Sequence, residues 1–136
     1  MGFVYAEIKL INSADSSICQ RGLIKKKEVR SATVQAVVDT GAMNLIIPQD
    51  LCEKLGLLIK GETFTRIANG QRVACKRTDA VEVWWKDRSS VVNALVIPGG
   101  NEVLVGVLPL EGMDLIVNPL TQELEGAHGK KPLFRA

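Results

Sequence analysis

Apolar and polar residues alternate from Phe3 to Ile11, with Glu7 and Lys9 set against Ile8 and Leu10, a period-two pattern that predicts a strand. Asn12 to Ser17 reads Asn-Ser-Ala-Asp-Ser-Ser and predicts a turn. Arg21 to Arg30 holds five basic residues and one acid, the composition of a solvated hairpin between two strands. Val29 to Val38 is a second strand, apolar and β-branched towards its end. Leu45-Ile46-Ile47 is a third, short one. Pro48 to Gly56 predicts a short helix: Pro48 suits its first turn, Asp50 complements the dipole there, and Gly56 suits the C-terminal cap.

The second half continues in short strands. Thr63 to Ala68 and Gln71 to Lys76 flank Asn69-Gly70, and Asn-Gly between such runs predicts a tight two-residue hairpin. Val81 to Trp85 and Val91 to Ile97 are strands joined by a polar turn at Lys86 to Ser90. Pro98-Gly99-Gly100 breaks the chain, Val103-Leu104-Val105 closes on Gly106, and Leu115-Ile116-Val117 runs into Asn118-Pro119. Regularly spaced short strands with one or two short helices predict an all-β, closed, barrel-like domain.

Composition narrows the partners. The chain has 136 residues, the length of one domain. A net charge of +2 demands neither a nucleic-acid nor a membrane partner. Glu7 and Lys9 interrupt the first apolar run, which speaks against a secretory leader. No apolar stretch approaches the roughly 18 residues of a membrane helix. Cys19, Cys52 and Cys75 form neither a CxxC pair nor an even disulfide set, so reduced thiols in a cytoplasm are the simplest reading. The single His128 argues against a histidine-based metal site or a Ser-His triad, and no metal is expected. Trp84 and Trp85 are neighbours on a strand and face opposite sides. Cys52 reads as core, His128 as solvent-exposed, and Asp79, Asp87 and Asp114 as turn or surface residues.

The chemistry concentrates at Val37-Val38-Asp39-Thr40-Gly41-Ala42. A carboxylate at the exit of a buried strand is costly unless hydrogen bonds stabilise it. Taken alone, Asp39 could be a turn former or a helix N-cap. Its surroundings favour catalysis. The order is apolar strand, Asp-Thr-Gly-Ala, short apolar strand, Pro-started helix, Asn-Gly hairpin, and a second apolar-Gly element at Val105-Gly106. From Phe3 to Glu125 this order resembles the retropepsin-like, or retroviral-type, branch of the aspartic proteases, and the chain is similar to its bacterial single-domain members.

The resemblance implies one lobe per chain and an aspartic endopeptidase, a hydrolase that needs no cofactor. Residues 1–125 would form the protease domain, and residues 126–136 a tail that either pairs with another subunit through Leu133-Phe134 or is disordered. Asp39, Thr40 and Gly41 would be the catalytic loop, with Thr40 bonding across the pair of loops and Gly41 letting them approach. Val105 and Gly106 would pack beside that loop. The hairpin from Phe64 to Cys75 looks like the family's flap; Ile67, Ala68, Asn69 and Gly70, with Ala42, would contact a peptide or protein substrate. Phe64, Ile67 and Val73 would give the flap apolar surface. Met43 stands where the family often carries a small or polar residue and narrows the nearby pocket; the flap tip has a single glycine. Because Val105-Gly106-Val107 contains no second Asp-Thr-Gly, the catalytic pair would come from two copies, making a homodimer the natural active form. Water activated between two Asp39 carboxylates sharing one proton would attack the peptide carbonyl, the mechanism general to aspartic proteases. The alternative is a catalytically silent dimerisation or peptide-binding module on the same fold. A nucleic-acid partner at Arg21 to Arg30 ranks last, since no aromatic residues interleave the lysines.

Overall fold

The computed structural model describes residues 3–136, so the first two residues of the expected 1–125 domain lie outside the described residues. In chain order it comprises β1 (Val4–Asn12), α1 (Ser13–Gln20), a 3-10 turn (Lys26–Glu28), β2 (Ser31–Val38), β3 (Leu45–Ile47), α2 (Gln49–Lys54), β4 (Ile59–Arg66) and β5 (Arg72–Trp85). There follow β6 (Arg88–Val96), β7 (Val103–Val105), α3 (Val107–Gly112), β8 (Leu115–Asn118) and β9 (Glu123–Gly126). Six strands close a ring in the order β1-β2-β7-β3-β6-β5, sealed by pairing of Lys9–Asn12 with Val81–Trp84. The barrel is mixed, parallel at β2–β7 and β3–β6 and antiparallel elsewhere. β4 hangs outside the ring, paired only with β5 among the described residues. The all-β, barrel-like expectation therefore holds.

Strand alternation fills the barrel. Along β1, Ala6, Ile8 and Leu10 point inwards and Tyr5, Glu7 and Lys9 outwards. Leu45 and Ile47 on β3, Val81 and Val83 on β5, and Val105 on β7 join the same core, capped by Leu55 after α2 and by Met113 after α3. Each such side chain contributes roughly 1.5–3 kcal/mol on burial. Cys52 lies buried in that core, and Trp84 and Trp85 are both half-buried, with the Lys86 ammonium 4.6 Å from the Trp85 ring centre.

Three local expectations are corrected. Asn12 to Ser17 is not a turn: Ser13–Gln20 is helical, and Asn12 caps it by accepting the Asp15 N–H at 3.0 Å. The buried Asn12 side chain also donates to Leu55 O at 2.8 Å, tying the cap to the end of α2. Arg21 to Arg30 is consequently no simple hairpin, because α1 and the 3-10 turn occupy the connection between β1 and β2. Arg30 leaves the charge run to grip Asp15, through Nε at 2.8 Å, Nη2 at 2.9 Å and its backbone N–H at 3.0 Å. Lastly, the strands expected at Gln71 to Lys76 and Val81 to Trp85 merge from Arg72 onwards into one, β5, whose register with β6 shifts between Arg77 and Ala80.

The end of the chain lies on its own barrel. Asp114, at φ +54° after α3, is a turn residue but a buried one. Its carboxylate meets His128 Nδ1 at 2.9 Å and accepts the Leu133 N–H at 3.0 Å. Buried Arg88 donates to the backbone carbonyls of Met113, Asp114 and Gly129. Gly126 leaves room for this: a Cβ there would collide with the Arg88 guanidinium.

Candidate active site

Asp39 follows the last residue of β2, and its backbone continues the barrel ladder by donating to Val105 O at 3.0 Å. The chain then leaves the sheet. Ala42 N–H returns to Asp39 O at 3.2 Å, and Gly41 N–H donates to Asp39 Oδ1 at 2.8 Å, so the carboxylate is aimed by its own loop. A Cβ on Gly41 would stand 3.2 Å from that same oxygen, which explains the need for a small residue there.

The segment after β7 holds this loop from behind. Gly106 N–H donates to Asn44 O, Val107 N–H to Ala42 O and Leu108 N–H to Met43 O, each at 2.9 Å. These are the first amides around the start of α3, which have no partner within the helix. Val105 and Gly106 are buried, whereas Met43 and Leu108 stand exposed on the outer side of the loop.

Opposite lies the β4–β5 hairpin. Its turn is longer than the two residues predicted: Ile67 N–H pairs with Gln71 O at 3.0 Å, Gly70 N–H with Ile67 O at 2.8 Å, and Gly70 takes φ +82°. That is a three-residue loop, Ala68-Asn69-Gly70, with a bulge at the glycine. Asn69 Oδ1 braces it by accepting the Gln71 N–H at 2.8 Å.

Between loop and hairpin is a cleft of about 680 Å³. Asp39, Gly41 and Ala42 line one side, and Ile67 and Ala68 the other. Thr40 is exposed beside the cleft, and Asn69 and Gly70 are exposed at the hairpin tip; none of the three lines the wall. Phe64 also points away from it, its ring covered by the Arg72 guanidinium at 4.1 Å. The floor includes Ile46 and Leu104, which pair across β3 and β7, with Ile97 beside them. Alternation would have found the first two: in Leu45-Ile46-Ile47 and Val103-Leu104-Val105 the outer residues fill the core, so the middle one must face out. Thr65, Arg66, Asn101 and Glu102 supply the polar wall. The pattern of residues gave no signal for these four. Among the described residues, no grouping of His, Cys, Asp and Glu could hold a metal ion.

The arrangement can present a carboxylate, part exposed and held by a backbone amide, to an extended chain lying in the cleft. Residues 26–130 match the family described as Aspartyl protease. No curated protein matches the chain. The matched region runs from the approach to β2 through the Asp39 loop, the hairpin and the Gly106 element to β9, most of the chain, and on that match the chain belongs to the aspartyl protease family.

Proposed function

We propose that this chain is one half of a retropepsin-like aspartic endopeptidase that works as a homodimer. The observation that carries the reading is the Asp39 loop: a carboxylate fixed by the Gly41 amide, backed by three amides of Gly106 to Leu108, and opening on a cleft roofed by a hairpin. One chain provides one such carboxylate. Two copies meeting at this loop would set two Asp39 side chains around a water. Like charges at that range hold one proton between them. The ionised carboxylate takes a proton from the water as it attacks the peptide carbonyl, and the protonated one donates to the developing oxyanion. Thr40, which is exposed, would hydrogen bond across the pair of loops, and exposed Met43 and Leu108 would offer apolar surface beside it. The hairpin from Phe64 to Cys75 acts as the flap. Cys19, Cys52 and Cys75 are unpaired, which supports a reducing compartment such as the cytoplasm.

The test mixes subunits. Asp39→Asn protein, inactive by itself, is added in excess to wild type at a concentration where sedimentation reports dimers. Activity should fall as wild-type subunits are captured in mixed pairs, and dilution of wild type alone should lower turnover per subunit. Full activity in a monomer, or wild-type activity indifferent to the variant, overturns the shared-site mechanism.

A further inference from the structure

Building on the peptidase reading above, we propose that Glu102 makes the cleft select substrates with a lysine or arginine side chain next to the bond that is cut. Three charged side chains line the cleft: Asp39, Arg66 and Glu102. Asp39 Oδ1 is engaged by the Gly41 amide, and Arg66 spends Nη1 on the carbonyl of Gly70 in its own hairpin at 3.0 Å. Glu102 makes no side-chain hydrogen bond or ion pair among the described residues and is exposed to the cleft. It is carried there by a tight turn, in which Gly100 N–H donates to Ile97 O at 3.1 Å and Gly99 takes φ +76°. The same turn leaves Ile97 half-buried on the cleft floor next to Leu104.

This places an apolar trough and a free carboxylate on one wall. Lysine and arginine have that shape: a hydrocarbon stem that packs on apolar surface and a cationic head that seeks an anion. Arg66 keeps its charge but belongs to the hairpin side, where its Nη1 donates to the Gly70 carbonyl, so the charged group carried with Ile97 and Leu104 on the facing wall is the Glu102 carboxylate. A purely aliphatic side chain would fill the trough and cover the Glu102 carboxylate without pairing it, which carries a desolvation cost.

The experiment compares two peptides that differ at the residue before the scissile bond, one with lysine and one with norleucine, which keeps the stem and drops the ammonium. Wild type, Glu102→Gln and Glu102→Lys are each assayed for kcat/KM on both. Wild type should favour lysine by about tenfold, the scale of one charge-assisted contact in a partly wet site. Glu102→Gln should bring the ratio close to one, and Glu102→Lys should invert it in favour of norleucine. An unchanged ratio in Glu102→Gln, with cleavage intact, overturns the assignment while leaving the peptidase reading in place. Calorimetric binding of the same peptides to Asp39→Asn protein, with and without Glu102→Gln, gives a readout independent of turnover. If no peptide is cut by wild type, the peptidase reading fails. The binding arm then still decides on Glu102: a lysine preference that vanishes in the double variant supports the selective wall, and equal binding of both peptides overturns it.

Discussion

Gly106 and Asn44 are joined by a hydrogen bond of 2.9 Å from amide to carbonyl, and a Cβ on Gly106 would lie only 2.7 Å from the same Asn44 oxygen. Two further backbone atoms, Met43 C at 2.6 Å and Ala42 O at 2.7 Å, close the remaining space. All are main-chain atoms of the Asp39 loop, so none can swing aside. Gly106→Ala should cost roughly 3 kcal/mol or more, at the upper end for overpacking. The loss should also displace Asp39. Thermal melting and turnover measured together check this: a variant that melts like wild type and cleaves normally would show that the two segments are not rigidly locked.

Asp39→Asn keeps the shape of the side chain and still accepts the Gly41 amide, but cannot act as a base. Turnover should fall by at least about a thousandfold, the scale on which loss of a general base is felt. The melting temperature should stay within a few degrees, since the residue is not part of the core cluster. Near-normal turnover would remove the mechanism.

Catalysis by a coupled carboxylate pair needs the singly protonated form. The profile of kcat/KM should therefore be bell-shaped and lie on the acid side of neutrality. His128 contacts Asp114 and not the cleft, so His128→Ala should leave both limbs where they are. Disappearance of a limb in that variant would give histidine a part in the reaction, and a profile rising steadily to alkaline pH would exclude the carboxylate pair.

Acid should also probe the fold. Arg30 holds the Asp15 carboxyl below its ordinary value, its side-chain hydrogen bonds outweighing the opposing effect of burial. At Asp114, burial pushes the carboxyl up, but the Leu133 amide, His128 and Arg88 together bring it below the ordinary value. A lowered carboxylate pKa adds stability that is present above the unfolded value and lost as pH falls through the folded one. Urea midpoints should thus be insensitive to these groups above about pH 5 and decline below about pH 4. Asp15→Asn should lower the midpoint at neutral pH and flatten the decline. If it retains the full wild-type slope, the Asp15–Arg30 pair is not its source.

The hairpin tip should be the part of the barrel most changed by ligand. Its amides at residues 66 to 71 should exchange quickly in the free protein and slow on addition of a peptide-like inhibitor, while those of β1 stay protected throughout. Identical exchange at the tip in both states would deny it a role as a cover.

Much of this architecture was legible because periodic apolar runs mark strands and Asn-Gly marks a turn. Val29 to Val38, Leu45 to Ile47 and the helix from Pro48 lie close to their observed limits. What escaped depended on contacts distant in sequence. α1 has few apolar residues, so no helical period announced it; the one available clue was Asn12 followed three residues later by Asp15. The partner that fixes Asp15 is fifteen residues away, inside a run of charges that composition assigns to solvent. The register shift in β5 has no glycine to betray it. Of the cleft, the loop and hairpin tip carried recognisable motifs, whereas Glu102 and Arg66 reach it only because the barrel folds.

β4 has one neighbour among the described residues, β5, and its other edge bears unpaired amides and carbonyls. Beside the closed ring, this long edge is where a stray strand from another chain could add and begin a growing sheet. The residues on it discourage that. Lys60, Glu62 and Arg66 are exposed along the strand, and a register irregularity between Ile59 and Gly61 spoils its straightness. Charge and distortion on that border let the hairpin remain long and open to visitors without making it a seed for aggregation.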